Sequence, residues 1–207
     1  MTGREQTILE TLTHKVHLIA ALQAARAWWS AAPPGVRSAE AALRALADGG
    51  WLRRLPVKAE PELPLEAPLF IWRPDEPAPN FGALAHRVRS RWQQPAVQAV
   101  VYLATPRAAA ALGGVVPSVK PQNVTHDLHV TTLYLRRLMT APADAGAWVL
   151  EDFLAEERTD QVLPDAILRD ADGRDRCAVE FAGKYPAERL RRFHADCVAR
   201  DLPYELW

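Results

Sequence analysis

The sequence is short of the residues that mark specialised classes. It has two cysteines, Cys177 and Cys197, which fit neither a metal-ligand spacing nor a disulfide framework and read as buried free thiols. No apolar run approaches the ~20 residues of a membrane span. The longest, Ala96 to Ala104, is far shorter, so no membrane partner is expected. The opening Met1-Thr-Gly-Arg-Glu-Gln has no apolar signal core, which points to a cytoplasmic protein. There is no net charge either: 25 Lys and Arg balance 25 Asp and Glu. What remains is ordinary for a soluble globular chain, and its 207 residues allow one large domain or two small ones.

The balanced total hides a strong pattern. Residues 1–58 carry eight basic against four acidic side chains, and 81–120 carry five basic and no acid. Residues 59–80 are net −4, and 121–207 hold eleven basic against sixteen acidic groups. A basic first half and an acidic remainder suggest two modules with different work. The apparent linker, Val115 to Asn123, divides residues 1–114 from 124–207.

In the first module the apolar spacing predicts three helices. They cover Arg4 to Thr13, then Ala20 to Trp29, and a third from Ser38, a good N-cap, to Asp48. Pro33-Pro-Gly35 separates the second from the third, and Gly49-Gly50 ends the third. Trp51 to Val57 then reads as a strand, 58–67 as an acidic loop, and Pro68 to Trp72 as the returning strand. Three helices and a hairpin are the plan of a winged helix-turn-helix. That plan puts Arg37, Glu40 and Arg44 in the major groove of double-stranded DNA and Arg53, Arg54 and Lys58 on its backbone. A helix over 80–93 would add Arg87, Arg89 and Arg91 to the phosphate-binding surface. The same fold also serves protein contacts, and the acidic loop with Glu60, Glu62 and Glu66 would repel phosphate.

In the second module, Thr125 to Met139 reads as a helix with His126 and His129 three residues apart on one face. Trp148-Val-Leu-Glu151 reads as a strand. Val162 to Arg169 and Arg176 to Glu180 flank the turn Asp170-Ala-Asp-Gly-Arg174 and read as a β-hairpin. A helix from Pro186 to Arg200 and a terminal strand at Leu202 to Trp207 complete an α/β domain with a small mixed sheet. Asp165 and Glu180 lie on adjacent strands, where they can meet on one side of the sheet, with Glu151 as a third acid within approach.

A strand carrying Pro164-Asp165, a hairpin, a strand ending in Glu180 and a following helix resemble the core of the PD-(D/E)xK nuclease superfamily. The resemblance implies that Asp165 and Glu180, helped by Glu151, hold Mg²⁺ or Mn²⁺. It also implies a lysine two residues after the Glu, but Ala182 stands there and the nearest lysine is Lys184. Two residues further along a strand is about 6–7 Å. The nuclease-like domain is therefore expected to be inactive, with no cofactor; if active, it would take Mg²⁺ or Mn²⁺ with Asp165, Glu180 and Lys184 as catalytic residues.

With both modules in order the chain is similar to the replication-relaxation family. The shared pieces are Tyr102 to Pro106, His126 to Val130, Trp148 to Glu151, Pro164-Asp165-Ala166, the strand ending at Glu180, and a Tyr-x-Leu-Trp strand at the end. The resemblance implies an N-terminal winged helix, a C-terminal nuclease-like domain, and DNA binding in plasmid replication or copy control; the function expected is a DNA-binding regulator of replication, mobilisation or transcription. A homodimer is expected because balanced charge gives modest non-specific affinity. Two further readings stand beside it: a metal-dependent endonuclease, and an interaction adaptor using Trp28, Trp29 and the acidic loop.

Overall fold

The computed structural model describes residues 1–155, 157–158 and 162–207. The chain divides into two compact units, Met1–Glu62 with Pro95–Ala145 and Leu63–Gln94 with Gly146–Trp207. Each is interrupted in sequence. This differs from a division at the 115–123 segment: residues 63–94 belong with the C-terminal strands and the 124–140 helix belongs with the N-terminal ones.

In the first unit, α1 (Gly3–His14) starts from a reciprocal cap between Thr2 and Glu5, and its apolar stripe Ile8, Leu9 and Leu12 is buried. A two-residue strand, β1 (Ile19–Ala20), leads into α2 (Ala21–Trp28). Helix α3 (Pro33–Asp48) starts earlier than a Ser38 cap would set it. Proline costs nothing in a helix's first turn, whose N–H groups are unpaired anyway, so Pro33-Pro34 opens the helix. Ser38 lies inside it and donates its hydroxyl to the Pro34 carbonyl at 3.0 Å. The turn between α2 and α3 is tight: a β-carbon on Gly35 would lie 2.2 Å from the Ser30 carbonyl oxygen.

Strand β2 (Leu52–Ala59) does not pair with the nearby β3 (Phe70–Trp72). After α4 (Phe81–Ser90), the chain returns as β4 (Val97–Ala104), which lies antiparallel to β2 over eight residue pairs, from Leu52 opposite Ala104 to Ala59 opposite Val97. The expected 51–57/68–72 hairpin is thus replaced by a longer ladder closed from a distance. Eight paired residues satisfy far more backbone than a three-residue return strand could. β4 also pairs with β1, giving the sheet order β1-β4-β2. Helix α5 (Pro106–Leu112), capped by Thr105, and α6 (Val124–Thr140) complete this unit, with Leu18, Val101, Leu103 and Val124 in one apolar cluster.

The second unit follows α7 (Pro142–Ala147) with β5 (Trp148–Leu150), α8 (Glu151–Ala155), β6 (Ala166–Arg169), β7 (Asp175–Glu180), α9 (Ala187–Ala199) and β8 (Tyr204–Leu206). Among the described residues its sheet runs β3-β8-β7-β6-β5, with β7 and β8 parallel and the other neighbours antiparallel, a mixed sheet. β3 enters here because its aromatics are worth more in this core. Trp72 is 4% exposed and stacks on Tyr204 with ring centres 5.7 Å apart. α4 packs against α9 in the same unit. Cys197 is buried and Cys177 half-buried, and neither forms a disulfide among the described residues.

Candidate functional site

The β6–β7 hairpin brings the two expected acids together. Ala166 lies opposite Val179, so Asp165 and Glu180 fall at neighbouring strand ends. Both are buried, at 7% and 4% exposure. The Asp165 N–H donates to Glu180 Oε2 at 3.1 Å, and the Phe181 N–H donates to Asp165 Oδ2 at 2.6 Å. Each carboxylate therefore holds the other residue's strand end, a reciprocal latch that satisfies charge which would be costly to bury alone.

A third member comes from the segment leading into α9. The Tyr185 hydroxyl donates to Glu180 Oε1 at 2.8 Å. Burial first, then the charges of Glu180 and Asp165, push the Tyr185 phenol far above its ordinary value, so it remains a donor. Arg189 in turn donates to the Tyr185 oxygen, and its guanidinium carbon lies 3.6 Å from the centre of the Tyr185 ring. Glu180, Arg189 and Arg192 line a cleft of about 330 Å³ with Val162, Leu163 and Phe193.

The other residues expected at a nuclease site are placed differently. Glu151 is the first residue of α8, and its N–H donates to the Asp165 carbonyl at 3.2 Å. Among the described residues its carboxylate forms no three-ligand cluster with Asp165 and Glu180. Ala182 is fully buried in the unit's core, its N–H donating to the Trp207 carbonyl at 3.0 Å. The chain turns at Gly183, where φ is +54°. Lys184 emerges exposed, its ammonium 5.2 Å from the centre of the Trp92 ring.

Two carboxylates would suit a hard divalent cation, which keeps several of its own waters. Yet both Glu180 oxygens and Asp165 Oδ2 already accept hydrogen bonds. As arranged, the pair fits a latch better than an open metal site.

The expected DNA-contacting residues fall into two groups. In the first unit Arg37 and Arg44 are exposed on α3, and Arg53, Arg54 and Lys58 are exposed on β2. Arg44 is paired with Glu40 one turn away at 2.5 Å. Arg37, Arg53, Arg54 and Lys58 meet no carboxylate among the described residues. Arg87, Arg89 and Arg91 instead belong to the second unit. Arg91 is half-buried, donates to the Trp207 carbonyl at 3.2 Å, and is pulled down to about 10 by burial and by Arg87.

The histidine pair divides as well: His129 is fully buried with Nδ1 2.6 Å from the Thr125 carbonyl oxygen, and His126 is half-buried. Trp28 and Trp29 are both half-buried, and Arg4 lies 4.5 Å above the Trp29 ring.

Tyr185, Arg189 and Arg192 are the site members that sequence reasoning missed. The available signal was weak: two arginines three apart on one helix face and a tyrosine just before that helix. Comparison of the chain with protein-family models, curated proteins and solved structures finds no match.

Proposed function

We propose that the chain is a DNA-binding protein whose first unit is a winged helix and whose second unit is a nuclease-like domain acting as scaffold. The observation that carries the reading is the path of the first unit. Three helices and a short strand feed a long antiparallel pair in the order α1-β1-α2-α3-β2-β4, with β4 central. In a winged helix the third helix enters the major groove and the long strand pair forms the wing. Here α3 exposes Arg37 and Arg44, and β2 exposes Arg53, Arg54 and Lys58. Charge agrees: the first unit carries twelve basic and eight acidic side chains, and the second thirteen and seventeen. Duplex DNA is the partner this reading requires, bound as a homodimer. The resemblance to the replication-relaxation family supplies the setting, control of plasmid or mobile-element replication, mobilisation or transcription.

Competition binding with selected and random duplexes tests the reading. Retention of a labelled duplex at low salt supports it, and absence of binding to every duplex would sink it. Light scattering on the eluting protein decides between monomer and dimer.

A second reading, a Mg²⁺- or Mn²⁺-dependent endonuclease, is favoured by one observation, the adjacency of Asp165 and Glu180. Calorimetric titration of Mn²⁺ separates the two. Saturable binding lost in Asp165→Asn/Glu180→Gln would favour the nuclease, and no binding leaves the latch.

A further inference from the structure

Six of the second unit's twelve arginines are seen paired with acids among the described residues. Arg73 meets Glu76, Arg158 and Arg169 meet Asp175, Arg174 meets Asp172, Arg191 meets Glu188, and Arg200 meets Asp196. Arg189 and Arg192 stand outside this set. Among the described residues neither meets a carboxylate, although both line the cleft above Glu180. They stand three apart on α9, so both forks come from one helix face. Arg189 is further held by its contact with the Tyr185 hydroxyl and ring.

We propose that this cleft binds the phosphate group of a nucleotide through Arg189 and Arg192. A planar guanidinium matches phosphate oxygens with two parallel hydrogen bonds, and two such groups clamp one phosphate. The cleft carries two cations against the one carboxylate of Glu180, whose oxygens are already engaged by the Tyr185 hydroxyl and the Asp165 N–H. Val162, Leu163 and Phe193 give an apolar wall suited to a sugar. The volume is at the lower end for small-ligand sites, which fits a single nucleotide unit. All lining residues belong to the second unit, so the site goes beyond the DNA contacts proposed for the first and does not depend on them.

The test is calorimetric titration of thymidine 5′-monophosphate into the full chain at low salt, with inorganic phosphate and thymidine as competitors. Saturable binding is expected, displaced by phosphate and not by thymidine. Arg192→Gln should weaken it about tenfold, the cost of one charge-assisted contact. Arg192 is exposed and makes no hydrogen bond or ion pair among the described residues, so this variant is expected to keep its fold, which circular dichroism verifies.

A 5′-phosphorylated tetranucleotide distinguishes the sources. Tighter binding than the mononucleotide identifies a strand end as the ligand, and equal binding identifies a free nucleotide. No binding of any phosphate compound, or equal binding by wild type and Arg192→Gln, would overturn the proposal. Either result leaves duplex binding by the first unit to be judged on its own measurement.

Discussion

The two units carry opposite charge, net +4 and net −4, but they differ more in how their cations are engaged. In the first, Arg37, Arg53, Arg54 and Lys58 stand exposed without carboxylate partners among the described residues. Six arginines of the second are neutralised by neighbouring acids, and its two central carboxylates are buried, Glu180 accepting the Asp165 N–H and Asp165 accepting the Phe181 N–H. Exposed unpaired cations attract a polyanion by releasing its counterions, while internally paired ones cannot. Sign alone would have separated the units, but pairing says which charge is available.

If the acids of the second unit serve as a latch, removing one must loosen the fold. Asp165→Ala leaves the Phe181 N–H without its acceptor, and a loss of roughly 2–3 kcal/mol is expected in urea unfolding. An unchanged midpoint would break the contrast between latched and available charge.

The first unit has its own tight point, in the backbone. Gly35→Ala would drive a β-carbon into the Ser30 carbonyl, and a loss of about 1–3 kcal/mol is expected from the shift it forces. Thermal unfolding measures it.

Smaller and pH-dependent is the part played by Tyr185. Its phenol is raised in the folded state, so the folded protein holds this proton more tightly than the unfolded chain, where tyrosine titrates near pH 10. The resulting stability is full below about pH 10 and is lost as pH rises beyond it. The stability difference between wild type and Tyr185→Phe should therefore shrink above that pH. A difference that stays constant up to the limit of folding would mean that Tyr185 does not guard Glu180.

Legibility in the sequence followed contact distance along the chain. The β6–β7 hairpin could be read because its turn is local: Asp170 accepts the N–H groups of Asp172 and Arg174 at 2.9 Å, and Gly173 takes φ +77°. The adjacency of Asp165 and Glu180 came with it. The partner of β2 could not be read, because β4 lies beyond a segment that supplies β3 and α4 to the other unit. Local rules favour the nearest apolar run, and Phe70–Trp72 was nearer. Helix α3 began early because a Pro-Pro pair reads equally well as a stop and as a first turn. Tyr185 and Arg189 were invisible as site residues, since only the folded lead into α9 aims a tyrosine at a glutamate five residues earlier.

The most direct test of the central claim is duplex DNA binding measured by fluorescence anisotropy across a salt series. Wild type is compared with a variant in which Arg37, Arg53, Arg54 and Lys58 are all replaced by Gln. The wild type should bind at low salt with affinity falling steeply as salt rises, and the variant should lose both the affinity and most of the slope, roughly 0.9 per phosphate contact removed. Equal affinity and slope in the two proteins would contradict the assignment of DNA binding to the first unit.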